Sequence, residues 1–380
     1  MDSGSDGNGA RGRMTLLLVG GGHAHVAVLA DWIRQGLPAG VRTLLLTPDP
    51  TLRYSGMVPG WIAGQHRRDD GLVDLAGLAR RAGVELILDR CAAIDPDARR
   101  VTTGAGAVIT FDVASFDTGG EGRAAALLGD DPRLIDVRPI GGFVDRLATL
   151  PKLSRVVVAG GGAGGVELAF ALKNQVGNRA DAPTHVTLVA GAGGLLPEFA
   201  PAVQRRVTEA LDRQGIALHN ADARLRDGAI MAGGLSLKPA DAIIAALGTA
   251  APGWARASGL AVDAAGFIAV DARQQSTSHP HIFAAGDVAA RTDRALAHSG
   301  VHAVFAGPVL AANLRSAVAG EPARKTYHPR WNNLYLMNTG DGRAIASYGP
   351  VAAEGRWVLR LKHWIDKRWI AKYAALADGA

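Results

Sequence analysis

Arg155-Val156-Val157-Val158-Ala159-Gly160-Gly161-Gly162-Ala163-Gly164-Gly165-Val166-Glu167-Leu168-Ala169 is a short apolar run, a glycine-rich turn and the start of an apolar-periodic stretch. It fits G-x-G-x-x-G placed directly after a strand and at a helix start. Each glycine has a task. Gly160 makes the turn, Gly162 lets the backbone approach a pyrophosphate, and Gly165 lets helix pack on strand. The helix N-terminus then receives the phosphate charge. The helix is expected over Val166–Asn174 and the next strand over His185–Val189. The residue closing that strand usually reads the ribose: an acid favours NAD, and nearby basic groups favour NADP. Here the position falls at Ala190, so NADH and NADPH both stay open.

The same order occurs about 140 residues earlier. Thr15–Val19 reads as a strand, Gly20-Gly21-Gly22 as the turn, Val26–Ile33 as a helix and Val41–Leu46 as the next strand. This loop is less regular. His25 stands at the third glycine position, and Thr47 stands where an acid would hold a ribose, with Asp49 two residues on. His23 and His25 do not read as a metal pair, because no third ligand is near. Two such starts imply two nucleotide-binding folds. A third piece, Ile282-Phe283-Ala284-Ala285-Gly286-Asp287-Val288, is a buried strand ending in Gly-Asp. It reads either as a simple strand-end turn or as a site where Gly286 and Asp287 hold a flavin polyol.

The 380-residue chain suits two or three domains and can bury sizeable cores, with nearly half its residues apolar. The net charge is +6, but the basic residues are scattered, which argues against a nucleic-acid stripe. The lone Cys91 excludes an internal disulfide, a CxxC redox pair and a cysteine metal cage. It also suits a reducing, cytoplasmic setting. Met1–Arg13 is polar and glycine-rich, is expected to be disordered and does not form a signal peptide; Met14 is an alternative start. No run of eighteen apolar residues occurs, so no membrane span is expected.

Further along, Ala240–Ala246 and His281–Ala285 read as buried strands and Ala303–Val318 as a helix. Arg343–Tyr348 and Arg356–Leu361 read as a hairpin, and Lys362–Leu376 as a terminal helix. Leu361, Trp364, Ile365, Trp369 and Tyr373 can form one helix face, with Arg360, Lys362, Lys367, Arg368 and Lys372 around it. Such a face lies on the inner surface of an anionic membrane, or packs on its own protein or on a second subunit in a homodimer. His298 and His302 are spaced to share a helix face. They read as proton donors to a reduced acceptor or as satisfied core histidines.

Together these pieces resemble the pyridine nucleotide-disulfide oxidoreductase superfamily, whose members hold FAD and a nicotinamide nucleotide in two Rossmann-type folds. Phe116-Asp117-Thr118-Gly119-Gly120 and Ala246-Leu247-Gly248-Thr249 resemble that family's links between its domains. A narrower resemblance covers the whole chain after Met14. It is to the NADH-dehydrogenase-like flavoprotein part fused ahead of selenophosphate synthetase in some bacteria. Gly20–Val26, Tyr54-Ser55-Gly56-Met57-Val58-Pro59-Gly60, Thr339–Ser347 and Gly355–Asp366 carry it. The synthetase part is absent here. The resemblance implies that Gly20, Gly22, His23 and His25 lie at the FAD pyrophosphate, with Thr47 and Asp49 toward the ribose. The Tyr54–Pro59 segment with Met57 would approach the flavin ring, and Gly119, Gly286 and Asp287 would complete the FAD site. Gly160, Gly162, Gly165 and Gly248 would bind the nicotinamide nucleotide, and Glu167 would face the junction of the two cofactors. The chain departs from this pattern at two places. His298-Ser299-Gly300-Val301 replaces Lys-Ala-Gly-Val, and Phe305-Ala306-Gly307-Pro308 replaces Arg-Gln-Gly-Pro. Ala306 also stands where type II NADH dehydrogenases use a Gln at the quinone site.

The expected class is therefore α/β. An FAD-binding domain (14–120 and 251–325) is interrupted by an NAD(P)H-binding domain (121–250), and a hairpin-and-helix region (326–380) follows. The expected activity is an FAD-dependent relay from NAD(P)H to a second acceptor without a redox disulfide. A quinone is the remaining natural acceptor, with Glu167 and His298 as catalytic candidates and no metal. The rivals are a redox sensor with structural FAD and a flavoprotein of selenium or sulfur metabolism.

Overall fold

The computed structural model describes residues 14–151, 153–175 and 183–379. The Met1–Arg13 stretch, expected to be disordered, lies outside the described residues. Leu16, Leu17, Leu18 and Val19 are fully buried on both faces of their strand, the signature of a central strand in a covered parallel sheet. That sheet has the order Ile282–Ala284, Val113–Phe116, Met14–Val19, Val41–Thr47, Glu85–Leu88, with every pairing parallel. A second parallel sheet has the order Leu134–Asp136, Ala242–Ala245, Arg155–Ala159, His185–Val189, Ala217–His219. Each has its glycine-rich loop at the carboxyl end of its central strand, where open α/β sheets bind ligands.

Four helices position the site: α1 (His23–Gln35), α2 (Ala163–Lys173), α3 (Gly300–Val318) and α4 (Arg356–Asp378). Helices α1 and α2 each begin three residues earlier than the apolar pattern suggests, directly on the glycine loops. Helix α3 packs closely on α1 because Gly307 has no Cβ; one added there would lie 2.5 Å from the Ala27 Cβ. By length and composition α3 is apolar enough to cross a membrane. The sequence has no run of eighteen apolar residues, so no such segment is expected from it. The buried Leu310, Ala311, Leu314 and Val318 of α3 join the first sheet's core instead.

The C-terminal region differs from expectation. The hairpin partner of Ala344–Tyr348 is Val351–Gly355, not Arg356–Leu361, and Leu334–Asn338 adds a third antiparallel strand. Gly355, at φ 156°, ends the strand. Arg356–Leu361 is the first part of α4, with Val358, Leu359 and Lys362 turned inward at helical spacing. The terminal helix does not present one aromatic face. Tyr373 and Ala377 are buried in the core of the first sheet and Trp369 packs against it, while Trp357 and Trp364 point out. Lys362, expected among the surface charges, is buried.

Candidate functional site

The second glycine loop has the geometry its sequence implies. A Cβ on Gly160 would collide with the Ala246 carbonyl oxygen, and one on Gly165 with the Gly160 carbonyl oxygen. Gly160 also has φ 128°. Around Gly162 and Gly164 the space is open. The first-turn N–H groups of α2 have no intrahelical acceptor and form an anion cradle there. Gly248, at φ 82°, turns the chain out of the same sheet end. Ala190, at the expected ribose position, is buried, and two residues on the Ala192 N–H donates to Asp222 at 2.9 Å.

The first loop repeats this plan with different atoms. Gly20 has φ 95°, and its Cβ would collide with Asp117 backbone. His25 replaces the third glycine without loss of close packing. Its Nδ1 lies 2.6 Å from the Gly20 carbonyl oxygen and its Nε2 lies 2.8 Å from Ser115 Oγ. A carbonyl only accepts, so Nδ1 carries the proton and Nε2 accepts from the serine. Burial lowers the His25 pKa from 6.5 to about 4, although the Gly20 carbonyl raises it. The ring is therefore neutral at pH 7 and acts as a strut between turn and sheet.

This gives a prediction. His25→Ala leaves two buried polar partners unpaired and should cost about 3 kcal/mol near pH 7. In the native state His25 binds fewer protons than in the unfolded chain between pH 6.5 and about 4. Its contribution is therefore whole above 6.5 and lost as pH falls toward 4. Urea unfolding of both proteins across that range should show the gap between them closing with acid. A gap that stays constant or widens refutes the strut.

The Gly-Asp turn closes the same pocket. Gly286 has φ 69°, and its Cβ would collide with the Asp117 carboxyl. Asp287 pairs at 2.7 Å with Arg138, which comes from the segment after Leu134–Asp136 of the second sheet. Thr47, buried at the end of its strand, lies beside Gly21, while Asp49 is exposed. Met57 is buried in a 3-10 turn at Ser55–Met57, and Gly119 has φ 71° at the end of Val113–Phe116. His298 lies before the α3 N-cap, Ser299, so it does not share a helix face with His302. It stacks on Phe267 at 4.0 Å between centroids, while His302 Nδ1 meets the Tyr327 hydroxyl at 2.9 Å. Both line a cavity of about 580 Å³ that reaches Gly286 and Asp287. Burial lowers both their pKa values.

Between the two loops lies a buried ionisable group that the sequence reading did not assemble. Glu167 Oε1 accepts from the Asn338 N–H at 2.8 Å and lies 3.9 Å from Lys362 Nζ. Lys362 Nζ lies 3.3 Å from Asp366, whose other oxygen accepts from the Tyr54 hydroxyl at 3.2 Å. Burial raises both acids against the pull of Lys362. Lys362 is pulled down by burial but pulled up further by Glu167 and Asp366. One buried cation therefore serves two buried carboxyls. Trp369 stacks on Tyr54 at 4.7 Å and reaches His23 at 5.3 Å, and these rings wall off the group. The signal available in the sequence was the Lys362/Asp366 pair, which shares one helix stripe with Val358 and Leu359. The second missed residue, Asp117, is a charge directly after the buried, uncharged strand Val113–Phe116. Among the described residues no group of three or more His, Cys, Asp or Glu could hold a metal.

The sequence model for pyridine nucleotide-disulphide oxidoreductases matches residues 14–306. No curated protein sequence matches the chain. Among solved structures, it is similar to a sulfide:quinone oxidoreductase from Aquifex aeolicus, with 19% identity, a TM-score of 0.75 and coverage of 96% of this chain and 92% of that one. A ferredoxin reductase from Rhodopseudomonas palustris gives 22% identity and 0.72, covering 87% and 81%. A water-forming NADH oxidase from Lactobacillus brevis, solved with NADH, gives 20% and 0.71, covering 88% and 75%. At these identities the likeness is one of fold.

Proposed function

The chain belongs to the pyridine nucleotide-disulphide oxidoreductase family, and from that premise we propose that it is an FAD-dependent NAD(P)H:quinone oxidoreductase. The observation that carries the two-cofactor reading is steric. At Gly20, Gly160, Gly165 and Gly286 a Cβ would strike the chain's own backbone or a buried carboxyl, so these glycines hold turn, strand and helix start tightly together, and at Gly162 and Gly164 the helix end is left open. That cradle fits FAD at the Gly20 loop and a nicotinamide nucleotide at the Gly160 loop. When bound, FAD accepts a hydride from the reduced nicotinamide and hands electrons to a second acceptor.

This chain's residues supply position and protons. Gly22 and the α1 N-terminus would hold the pyrophosphate of FAD, and Gly286 and Asp287 its polyol. Gly162 and the α2 N-terminus would hold the pyrophosphate of the nicotinamide nucleotide. Glu167, Lys362, Asp366 and Tyr54 hold a proton in a water-poor pocket between the two loops. Reduction of a quinone by NAD(P)H consumes one proton from solvent, and this buried group is the candidate to pass it on. His298, whose pKa burial lowers, is a second candidate to relay a proton from solvent at the cavity beside Asp287. Cys91 is the chain's one cysteine, so it has no internal dithiol partner, and burial pushes its thiol up to about 12, away from the reactive thiolate.

A lipid quinone fits the outer side of α4. Trp357 and Trp364 are more than half exposed, Arg368 lies 5.5 Å from the Trp364 ring, and Arg356, Arg360 and Lys367 are exposed. Aromatic rings amid basic residues suit an anionic membrane surface. The chain should therefore bind vesicles rich in anionic lipid, and a Trp357→Ser/Trp364→Ser double variant should lose most of that binding while keeping its flavin. Equal binding by the double variant, or a homodimer closing over these residues, removes the membrane from the reading. The narrower likeness to the flavoprotein part fused to selenophosphate synthetase belongs to this proposal. So does the division at residues 14–120, 121–250, 251–325 and 326–380.

Anaerobic titration with NADH and then NADPH tests the whole. The yellow flavin band should bleach and return on adding a soluble quinone. A band that stays yellow with the nucleotide bound would make the protein a redox sensor.

A further inference from the structure

The two halves of the fold can be superposed in thought, strand on strand. In the second half the residue after Ala242–Ala245, the strand beside the central one, is Ala246, whose N–H bonds the Ala159 carbonyl and whose oxygen faces Gly160. In the first half the residue in that place is Asp117. Its N–H bonds the Val19 carbonyl and its oxygen faces Gly20 in the same way. The backbones correspond, and the side chains do not. Ala246 leaves the α2 N-terminus open. The Asp117 carboxylate reaches the α1 N-terminus, where Oδ2 accepts from the Ala24 N–H at 2.7 Å and from the His25 N–H at 3.0 Å.

That carboxyl is 3% exposed and lies between the two pieces that frame the FAD cradle. A Cβ on Gly22 or on Gly286 would run into it. It therefore holds two of the helix-end donors and the space beside them, which is where a dinucleotide pyrophosphate would bring its own charge. Two anions at one helix end in a buried site repel, and the cheaper relief is for one to take a proton.

We propose that Asp117 is a positioning residue that couples FAD binding to proton uptake, its carboxylate taking one proton from solvent when the flavin pyrophosphate arrives. The neutral carboxyl stops being a rival anion and offers an O–H donor. Burial already pushes this group up to about 7, with the Asp287 charge adding to the push and the two N–H groups opposing it. The neighbouring groups do not supply a compensating charge. From α1, His23 is held neutral by burial, and the His25 ring is neutral and turned to Gly20 and Ser115. From the Gly-Asp turn, Asp287 is paired with Arg138. From the α3 end, His298 and His302 have lowered pKa values.

The inference rests on the FAD reading, and the experiment separates the two. The full chain is stripped of flavin and titrated with FAD by calorimetry in two buffers of different ionisation heat. Near pH 8 about one proton should be taken up per FAD, and near pH 6 about none, with affinity falling up to about tenfold per pH unit above neutrality. Asp117→Asn keeps the shape and should bind FAD more tightly, with no proton uptake and a flat pH profile. FAD binding without uptake at either pH, or an Asn variant with the wild-type slope, overturns the role of Asp117 and leaves the FAD reading standing. No FAD binding at any pH overturns both. The wild-type calorimetry decides even if the variant fails to fold.

Discussion

Gly165→Ala is expected to leave a yellow protein that dithionite reduces and NADH does not. A single methyl suffices, because the Cβ would collide with the Gly160 carbonyl oxygen and come within 3.4 Å of the Ala246 Cβ. Backbone cannot give way as a side-chain tip can. The start of α2 must therefore move off its strand, and the N–H cradle moves with it. A shift of this kind costs on the order of 3 kcal/mol of nucleotide binding, about a hundredfold in Kd. The FAD cradle belongs to the other sheet and should keep its flavin. The measurement is NADH and NADPH affinity beside the flavin-to-protein ratio. Reduction by NADH at the wild-type rate sinks the assignment of this loop. Loss of flavin along with nucleotide binding would mean that the two loops are not separable sites.

Lys362→Met should be the most damaging substitution in the terminal helix. It removes the buried cation that faces both Glu167 and Asp366. Breaking a buried pair from one side typically costs about 3–5 kcal/mol, because the remaining charge stays buried. The acids can escape by protonating. Their folded pKa values are already raised, so the native state binds more protons than the unfolded chain, and the variant's stability should fall as pH rises through the folded values. Denaturation at several pH values checks this. Turnover separates a proton store from a mere prop. A Lys362→Met/Glu167→Gln/Asp366→Asn triple variant should recover much of the stability and almost none of the quinone reduction. If activity returns with stability, the group is structural.

The two glycine loops were legible to different depths, for physical reasons. Gly160–Gly165 is a local code: strand, turn and helix start lie within a few residues, and the contact that requires Gly165, with the Gly160 carbonyl, falls inside that span. His25 looked like damage to the same code. Its bond to Ser115 reaches the neighbouring strand, 90 positions away, and has no trace in spacing. Arg356–Leu361 read as a strand because Trp357, Leu359 and Leu361 alternate, and only the position of Gly355 marks where the meander stops. Lys362 read as surface because lysine is almost never fully buried unless paired. Its partner Glu167 stands nearly two hundred positions away, so the pairing exists only in the fold.

Helix α4 gives the molecule a schedule as well as a wall. The loop at Gly20 leaves the ribosome first, but the chamber beside it is bounded by Lys362, Asp366 and Trp369. Tyr373 and Ala377, near the end of α4, seat that wall against the core of the first sheet. N-terminal parts generally fold first during synthesis. Here the earliest pocket stays open on one side until α4 has been made. Chains arrested short of α4 should fold their first sheet and release flavin readily, so cofactor retention reports whether synthesis has passed that helix.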